Sequence, residues 1–564
     1  MRLLHPVRFS YRSCALPMFL SLVALVGGCG AKDYARRADK EVYGIIAEKQ
    51  RRVFGEERPF SIGEPLPESR PADSTGDAPP AFVPPASPLS LEDAMSIAFL
   101  NNRDYQTRKE SLYSRALTLT SRRHDFAAIW GSSLDLSAER DTANDTSGAV
   151  DFGLGFSRLL ANGARFSLGL SSALSQFFTG SPARAASSVI SASIVQPLLR
   201  NAGRLVATES LTQAERDVLY ELRSFARFQQ TFAVSVASEY LRVLERERFV
   251  ENERLNYENL VESTARIKAF ADEGLVPQFQ YDQSHQSELS AQNRYVTAKE
   301  NYESALDNFK ITLGISTSVA ISLDSNFLTA LTEEGLIHPD VSLPASIDTA
   351  LRKRYDYLTA RNRLEDRRRK LAVAAKQLGP EASLSLTADV GTTDNTALHF
   401  DLDKEGTYGA DLALDLPLDR NNERNAYRQA IIDLEQAGRS LSLADDQVKL
   451  EVRDDYRRLG RARETYLIQQ QSVKLAESRV ESTTILLEDG RAETRDLLEA
   501  QSALVNARND LASAVVEHTI ARLQFYRDIG TLDVDERAPI EAIRRTENPP
   551  EEPPASGPPP EPSN

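Results

Sequence analysis

Apolar and polar positions alternate with period 2 in six segments of this chain. This alternation is typical of β-strands, because successive side chains point to opposite faces. In one segment Leu384, Leu386 and Val390 share a face, and Ser385 and Asp389 lie opposite. The pattern predicts strands at residues 130–140, 150–159, 163–175, 187–196, 382–390 and 408–417.

Between these segments the chain has long helical patterns. Residues 204–273 contain neither Pro nor Gly, and residues 418–489 contain no Pro. A helix rises 1.5 Å per residue, so each stretch predicts a helix of about 100 Å. After Gly490, leucines recur every seven residues and alanines follow a second heptad position. Large residues at one heptad position and alanine at the other predict closely packed helices. The residues are Leu497, Leu504 and Leu511, with Ala500, Ala507, Ala514 and Ala521.

Three blocks of sequence recur in the same order, which indicates an internal duplication. Ser90-Leu91 recurs as Ser342-Leu343, and Pro197-Leu198 recurs as Pro417-Leu418. Gly274, Ala291 and Gly314 recur as Gly490, Ala507 and Gly530. Each half therefore begins with one block, continues through predicted strands, and ends with a pair of long helices.

The N-terminus has the features of a bacterial lipoprotein signal. Arg2, Arg8 and Arg12 precede a short apolar stretch that ends in Leu-Val-Gly-Gly-Cys29. Such a stretch is too short to span a membrane and predicts a cleaved signal peptide. The ending resembles a lipobox, in which Cys29 is acylated with palmitate; the alternative is cleavage at small residues beside an incidental cysteine. Gly30 is not the aspartate that commonly retains proteobacterial lipoproteins in the inner membrane, so we expect delivery to the outer membrane.

These features predict a division of the chain into six segments. Residues 1–28 form the signal peptide, and 29–88 a lipid-anchored N-terminal segment with a Pro-rich linker. Residues 89–315 form the first repeat, 316–340 a connection, 341–535 the second repeat, and 536–564 a disordered Pro-rich tail. Pro-rich polar segments bury too little apolar surface to offset the entropy of ordering.

Composition and motifs exclude several classes of function. The 564 residues include 82 acids and 67 bases, a net charge of −15 that disfavours nucleic-acid binding. Six histidines lack metal-ligand spacing, and no GxSxG, Walker A or GxGxxG motif occurs. We therefore expect no enzyme and no catalytic, cofactor or metal site. His518 replaces a leucine in the heptad seam and is predicted to be a packing residue.

The core over residues 89–531 resembles the outer-membrane efflux proteins, the TolC-like outer membrane factors of Gram-negative bacteria. The resemblance rests on the duplicated order and on two runs: residues 196–204, QPLLRNAGR, and residues 496–501, DLLEAQ, after Gly490. It implies a mainly helical fold with a membrane β-barrel, in which three protomers share one barrel and build a hollow helical cylinder across the periplasm. It also implies four strands per protomer, whereas the first repeat alone offers four candidates.

The resemblance further implies where the periplasmic end lies. Gly274 and Gly490 would be the tip turns of helical hairpins. Arg491 and Arg495 flank the second tip and could hold it closed through ion pairs with a neighbouring protomer.

In the family, acidic side chains a little beyond the second tip narrow the channel entrance, and this chain has acids at matching positions. By position these are Asp496 and Glu499, which in three copies would favour cations. The first half departs from the pattern, because Gln280 stands where an acid is often found and only Asp282 could replace it. The alternative interpretation is that all three acids are ordinary solvated residues.

The resemblance implies a passive exit duct of a tripartite efflux or secretion system. A periplasmic adaptor (membrane fusion protein) and an inner-membrane transporter would dock on the tips, and the energy would come from that transporter. A lipid-anchored periplasmic coiled-coil scaffold or tether without a pore is the alternative. A type I secretion channel for proteins shares the fold, so the sequence does not choose between drug, metal and protein export.

Overall fold

The computed structural model describes residues 30–63, 88–140, 146–177, 184–334, 336–392, 406–416 and 418–534. The predicted signal peptide, Cys29, most of the Pro-rich linker and the C-terminal tail lie outside these residues. The helices are α1 (Ala31–Phe54), α2 (Leu91–Asn101), α3 (Arg103–His124), α4 (Arg204–Ala207), α5 (Glu209–Asp272), α6 (Gln278–Leu313), α7 (Asn326–Glu334), α8 (Leu343–Lys353), α9 (Tyr355–Gln377), α10 (Asn421–Glu488) and α11 (Thr494–Asp528). The strands are β1 (Ile129–Arg140), β2 (Thr146–Leu159), β3 (Arg165–Phe177), β4 (Arg184–Pro197), β5 (Glu381–Gly391) and β6 (Gly406–Asp415).

The six predicted strands are present and form one antiparallel sheet in the order β1-β2-β3-β4-β5-β6. The first repeat contributes four strands and the second repeat two. The β4–β5 pair, from Val189 opposite Gly391 to Pro197 opposite Ser383, joins the repeats within the sheet. A turn at Asn162-Gly163 connects β2 to β3, and Gly163 has φ of +92°, which favours glycine.

The register gives the sheet one apolar and one polar face. Residues opposite each other on paired strands point to the same side, and the pairing aligns the apolar positions of all six strands. The apolar face carries Trp130 and Leu134 of β1, Phe152 and Phe156 of β2, Leu168 and Leu170 of β3, Ile190 and Ile194 of β4, Leu386 of β5 and Leu412 of β6. The other face carries mainly serine, threonine and aspartate, among them Asp135, Asp151, Ser171, Ser191, Thr387 and Asp411.

Four long helices lie side by side in the order α6-α5-α11-α10. At 1.5 Å per residue the 64 residues of α5 extend for about 96 Å and the 68 residues of α10 for about 102 Å. The predicted helix over 204–273 is interrupted at Thr208, whose backbone leaves the helical region (φ −100°, ψ 9°) after the single turn of α4. In the described part of the chain, no helix combines the length and apolarity needed to cross a membrane.

The main apolar core lies where the short helices pack on the first half of α5, the middle of α10 and the C-terminal parts of α6 and α11. Its largest fully buried side chains include Tyr105, Tyr240, Phe309 and Phe525. The N-terminal helix α1 packs on α3 and α5 and buries Ile46. The predicted N-terminal segment is thus, over α1, part of the folded body.

The duplication is visible in how each hairpin ends. Gly314 follows α6 and Gly530 follows α11, with φ of +74° and +75°. Gly314 lies against the break between α2 and α3, and Gly530 lies against the break between α8 and α9. Both breaks are single extended residues, Asn102 and Arg354. The two repeats therefore build the same joint between a long helix and a bent pair of short helices.

Candidate functional site

The two helical hairpins turn at the glycines that the repeat aligned. Gly274 lies between α5 and α6 and Gly490 between α10 and α11, with φ of +75° and +70°. The Leu275 N–H bonds to the Phe270 carbonyl at 2.8 Å, and the Arg491 N–H bonds to the Leu486 carbonyl at 2.8 Å. This bonding closes a helix C-terminus through a left-handed residue, which is why glycine occupies both positions.

Asp496 lies in the first turn of α11, where its carboxylate caps the helix. Its Oδ2 accepts the Glu493 backbone N–H at 3.1 Å, and the Glu493 side chain accepts the Asp496 N–H in return. This reciprocal capping satisfies two donors that a helix N-terminus otherwise leaves unpaired. Asp496 therefore has a structural role, and its side chain is still 44% exposed.

Glu499 lies one turn further along α11 and pairs across the hairpin. Its Oε1 is 3.2 Å from Nη2 of Arg479 on α10. Both side chains are about half exposed or more, at 65% and 49%, so the pair contributes only ~0–1 kcal/mol. Asp282, the substitute acid of the first repeat, is exposed near the start of α6.

Polar contacts connect the two hairpins close to their tips. Oγ1 of Thr494 donates to Oε1 of Gln280 at 3.2 Å. Gln280 is the residue that departs from the acidic pattern, and here it serves as an acceptor between the repeats. Within the first hairpin, the buried hydroxyls of Thr264 and Ser284 are 2.9 Å apart.

The arginines beside the second tip are available at the surface. Arg491 and Arg495 are both exposed, and Nη2 of Arg495 lies 4.0 Å from Oδ1 of Asp496 in the same chain. Sequence reasoning missed Arg479 and Thr494. The distance of Arg479 from the tip in sequence hides its contact with Glu499, although the antiparallel hairpin brings the two together.

Aromatic side chains cluster on the apolar sheet face beside the helices. The ring centroids of Trp130 and Phe156 are 4.7 Å apart, and those of Phe156 and Phe166 are 5.8 Å apart. These residues stand near the beginning of β1, the end of β2 and the beginning of β3, where the sheet meets the helices. Aromatic residues at this level are typical of strands that end at a membrane–water interface.

A sequence model of a known family matches part of this chain. The description of that family is "outer membrane efflux protein", and the match covers residues 346–531. The second repeat matches the outer membrane efflux protein family. This match confirms the resemblance that the duplicated blocks indicate. A search of curated proteins finds no match.

The fold is similar to that of solved outer membrane proteins and channels over most of the chain. The outer membrane protein VceC of Vibrio cholerae superposes with a TM-score of 0.56 at 13% identity, covering 78% of this chain and 96% of VceC. The CmeC outer membrane channel of Campylobacter jejuni gives 0.56 at 14% identity, covering 81% and 89%. The MtrE outer membrane channel of Neisseria gonorrhoeae gives 0.57 at 12% identity, covering 78% and 88%. At such identities the structures establish a shared fold.

Proposed function

We propose that this chain is one of three subunits of a passive exit duct in the outer membrane, serving a tripartite efflux or secretion system. The duct opens when a periplasmic adaptor and an inner-membrane transporter dock on the helical tips. The duct itself catalyses no reaction, because transport energy comes from the inner-membrane transporter.

The uncovered apolar face of the sheet is the observation that carries the proposal. Leu136 is 74% exposed, Trp130 67% and Leu412 66%, all on that face. Contiguous apolar surface of this kind is rare on soluble proteins and marks contact with a membrane or a partner. In a barrel this face meets lipid while the serine-rich face lines water. A periplasmic tether has no need of such a sheet, which is the reason to prefer the duct.

The helical layer supports assembly around an aqueous tunnel. The four long helices form one layer, and the short helices pack against only part of it. Its two edge helices expose apolar residues seven apart, Leu289 and Val296 on α6 and Leu443 and Leu450 on α10. Heptad spacing of this kind suits packing against another helix. Three copies joined along these edges would enclose a cylinder about 100 Å long.

The acids near the tips would select the passing ions. Three copies each of Asp496 and Glu499, with Asp282 beside them, place negative charge around the entrance and favour cations. Arg491 and Arg495 would hold neighbouring tips together until the adaptor docks. Exposed ion pairs are individually weak, so several must act together.

Planar-bilayer recordings on the purified protein test this function. We expect trimers with stepwise, cation-selective conductance, and a smaller reversal potential across a KCl gradient in Asp496→Asn and Glu499→Gln. Asn keeps an acceptor for the cap, so the change isolates charge. The matched control is Asp510→Asn, an exposed acid further along α11, which should conduct like the wild type. A protein that stays soluble without detergent and never conducts would refute the duct.

Anchoring by Cys29 is tested separately. Metabolic labelling with palmitate should mark the wild type and should not mark Cys29→Ser. Labelling that persists in the variant, or that never occurs in the wild type, contradicts the lipobox interpretation. Membrane fractionation of the variant then shows whether the sheet alone retains the protein in the outer membrane.

A further inference from the structure

The sheet has two open edges and two strands more than the family resemblance implies. Among the described residues β1 pairs only with β2, and β6 pairs only with β5. The sheet is continuous, with twelve residue pairs joining β1 to β2, from Ile129 opposite Ser157 to Arg140 opposite Thr146. Thirteen further pairs join β2 to β3, from Ser147 opposite Phe177 to Leu159 opposite Arg165, so the hairpin β1–β2 is bonded to the sheet along its whole length.

We infer that all six strands of each protomer enter the barrel, which then has eighteen strands and is closed by pairing β6 of one copy with β1 of the next. This inference rests on the proposed trimeric duct and adds the strand number, the closing edges and the width of the exit.

The edges require partners because of where the apolar face lies. A strand edge carries a row of unpaired N–H and C=O groups, and hydrocarbon offers no water to satisfy them. Both edge strands carry apolar residues on the face proposed to meet lipid, so both edges lie within the hydrocarbon region. These residues are Leu134 and Leu136 on β1, and Leu412 and Leu414 on β6. The sheet does not close on itself, so another copy of the chain must cover each edge.

The strand order makes the two edges complementary. Each neighbouring pair in the sheet is antiparallel, so β1 and β6 run in opposite directions. A second copy placed beside the first therefore continues the antiparallel order at the seam. It also continues both faces, because Leu412 and Leu134 belong to the apolar face while Asp411 and Asp135 belong to the polar one.

The hairpin β1–β2 brings apolar and polar residues to the correct sides for a barrel wall. Phe152, Leu154 and Phe156 of β2 continue the apolar face, and Ser147, Asp151 and Ser157 continue the polar face. A hairpin that left the barrel for water would expose this apolar face to water. Its pattern is that of a wall strand.

Eighteen strands change the width of the exit. With strands about 4.8 Å apart and tilted by about 40°, eighteen strands give a backbone diameter of roughly 36 Å, and twelve strands roughly 24 Å. Natural barrels of 16–18 strands leave an aqueous channel. The outer-membrane end would then be wide enough to pass bulky solutes, and the narrowest point would lie among the helices.

Disulfide trapping between copies tests the seam. One cysteine is placed on the polar face of β6 at Gly409 or Ala413, and a second on the polar face of β1 at Gly131, Ser133 or Ser137. Paired strands bring Cα atoms to within about 5.5 Å, which a disulfide can span. The scan over β1 samples several registers at the seam. Oxidation of the mature full-length protein should give covalent dimers and trimers on a denaturing gel.

The matched control places the second cysteine on the polar face of β3 at Ser167, Ser171 or Ser175. In the eighteen-stranded barrel β3 of the next copy lies roughly 14 Å from β6, beyond disulfide reach. Cross-linking of the β3 series without the β1 series would mean a twelve-stranded barrel and would overturn the inference. Trimers that conduct but cross-link in neither series would overturn it as well.

A polymer-exclusion measurement gives a second readout. Neutral polymers too large for a twelve-stranded lumen, yet smaller than an eighteen-stranded one, should lower single-channel conductance when added on the strand side. No effect at any size above the narrower limit would count against the wide barrel. Absence of both trimers and conductance in the same preparation would overturn the proposed duct itself, and would thus be distinguished from failure of the strand number alone.

Discussion

Among the described glycines, Gly314 leaves the least room for a side chain. A Cβ added there would lie 2.4 Å from the carbonyl oxygen of Asn101 and 2.8 Å from the backbone nitrogen of Asn102. Both contacts are backbone atoms at the break between α2 and α3, so neither can rotate away. Gly314 also has φ of +74°, which disfavours any residue with a Cβ.

The expected cost of Gly314→Ala has two parts. The left-handed conformation costs about 1–2 kcal/mol for a residue other than glycine. Forcing an extra carbon into packed surroundings costs typically about 1–3 kcal/mol. The sum is a loss of about 2–5 kcal/mol in the free energy of unfolding.

Substitutions at three further glycines separate the conformational cost from the cost of the close contact. Gly530→Ala has the same φ problem but a nearest contact of 3.1 Å, so the loss should be smaller. Gly274→Ala has φ of +75° and no atom within 4 Å, so only the conformational part of about 1–2 kcal/mol remains. Gly438→Ala lies inside α10 with nothing within 4 Å and should gain up to about 1 kcal/mol.

The assay is thermal unfolding in detergent, followed by circular dichroism of the helices. We expect the apparent Tm to fall in the order Gly438→Ala, wild type, Gly274→Ala, Gly530→Ala, Gly314→Ala. Gly314→Asn separates the causes, because Asn tolerates positive φ better than Ala but still collides with the Asn101 carbonyl. If Gly314→Asn matched the wild type, or if Gly314→Ala matched Gly274→Ala, the close approach would carry no energy and the reasoning would fail.

Two buried titratable groups should give opposite pH dependences. Burial and a hydrogen bond to Asp528 raise the pKa of Asp455, so folding favours its protonated form. The stability of the wild type should therefore fall as pH rises from the ordinary carboxyl range through neutrality. The Tm of Asp455→Asn relative to that of the wild type should rise between pH 5 and pH 8. Burial, with Arg522 and His338 nearby, lowers the pKa of His518 to about 4, so its contribution is present above pH 6.5 and is lost as pH falls through 4. His518→Leu should accordingly gain most on the wild type at acid pH. For either variant, a difference in Tm from the wild type that does not change with pH would contradict the expectation.

The period of the side-chain pattern was sufficient to predict the strands and the long helices. All six alternating segments are strands, and both long charged stretches are helices, because period 2 and heptad patterns place apolar residues on one face. The repeat also predicted the paired glycines, since turns with positive φ require that residue. One error concerned a boundary, where the predicted helix over 204–273 is interrupted at Thr208. Local composition contains no signal for that break.

The tertiary structure decided the features that join distant parts of the chain. The prediction of Asp496 as an entrance acid rests on its position, and only the fold reveals that its carboxylate caps α11. The contact of Glu499 with Arg479 and that of Gln280 with Thr494 depend on how antiparallel helices align. Nothing in a single segment sets that alignment.

The sequence by itself determined which residues alternate, where the chain duplicates, and that two faces of opposite character exist within each strand. The tertiary structure decided that six strands share one register, so that six separate apolar stripes become one continuous face. The physical reason is that strand alternation is local, whereas register depends on hydrogen bonds between strands such as β4 and β5, which lie almost two hundred residues apart. The open edges of that sheet follow from the same long-range pairing.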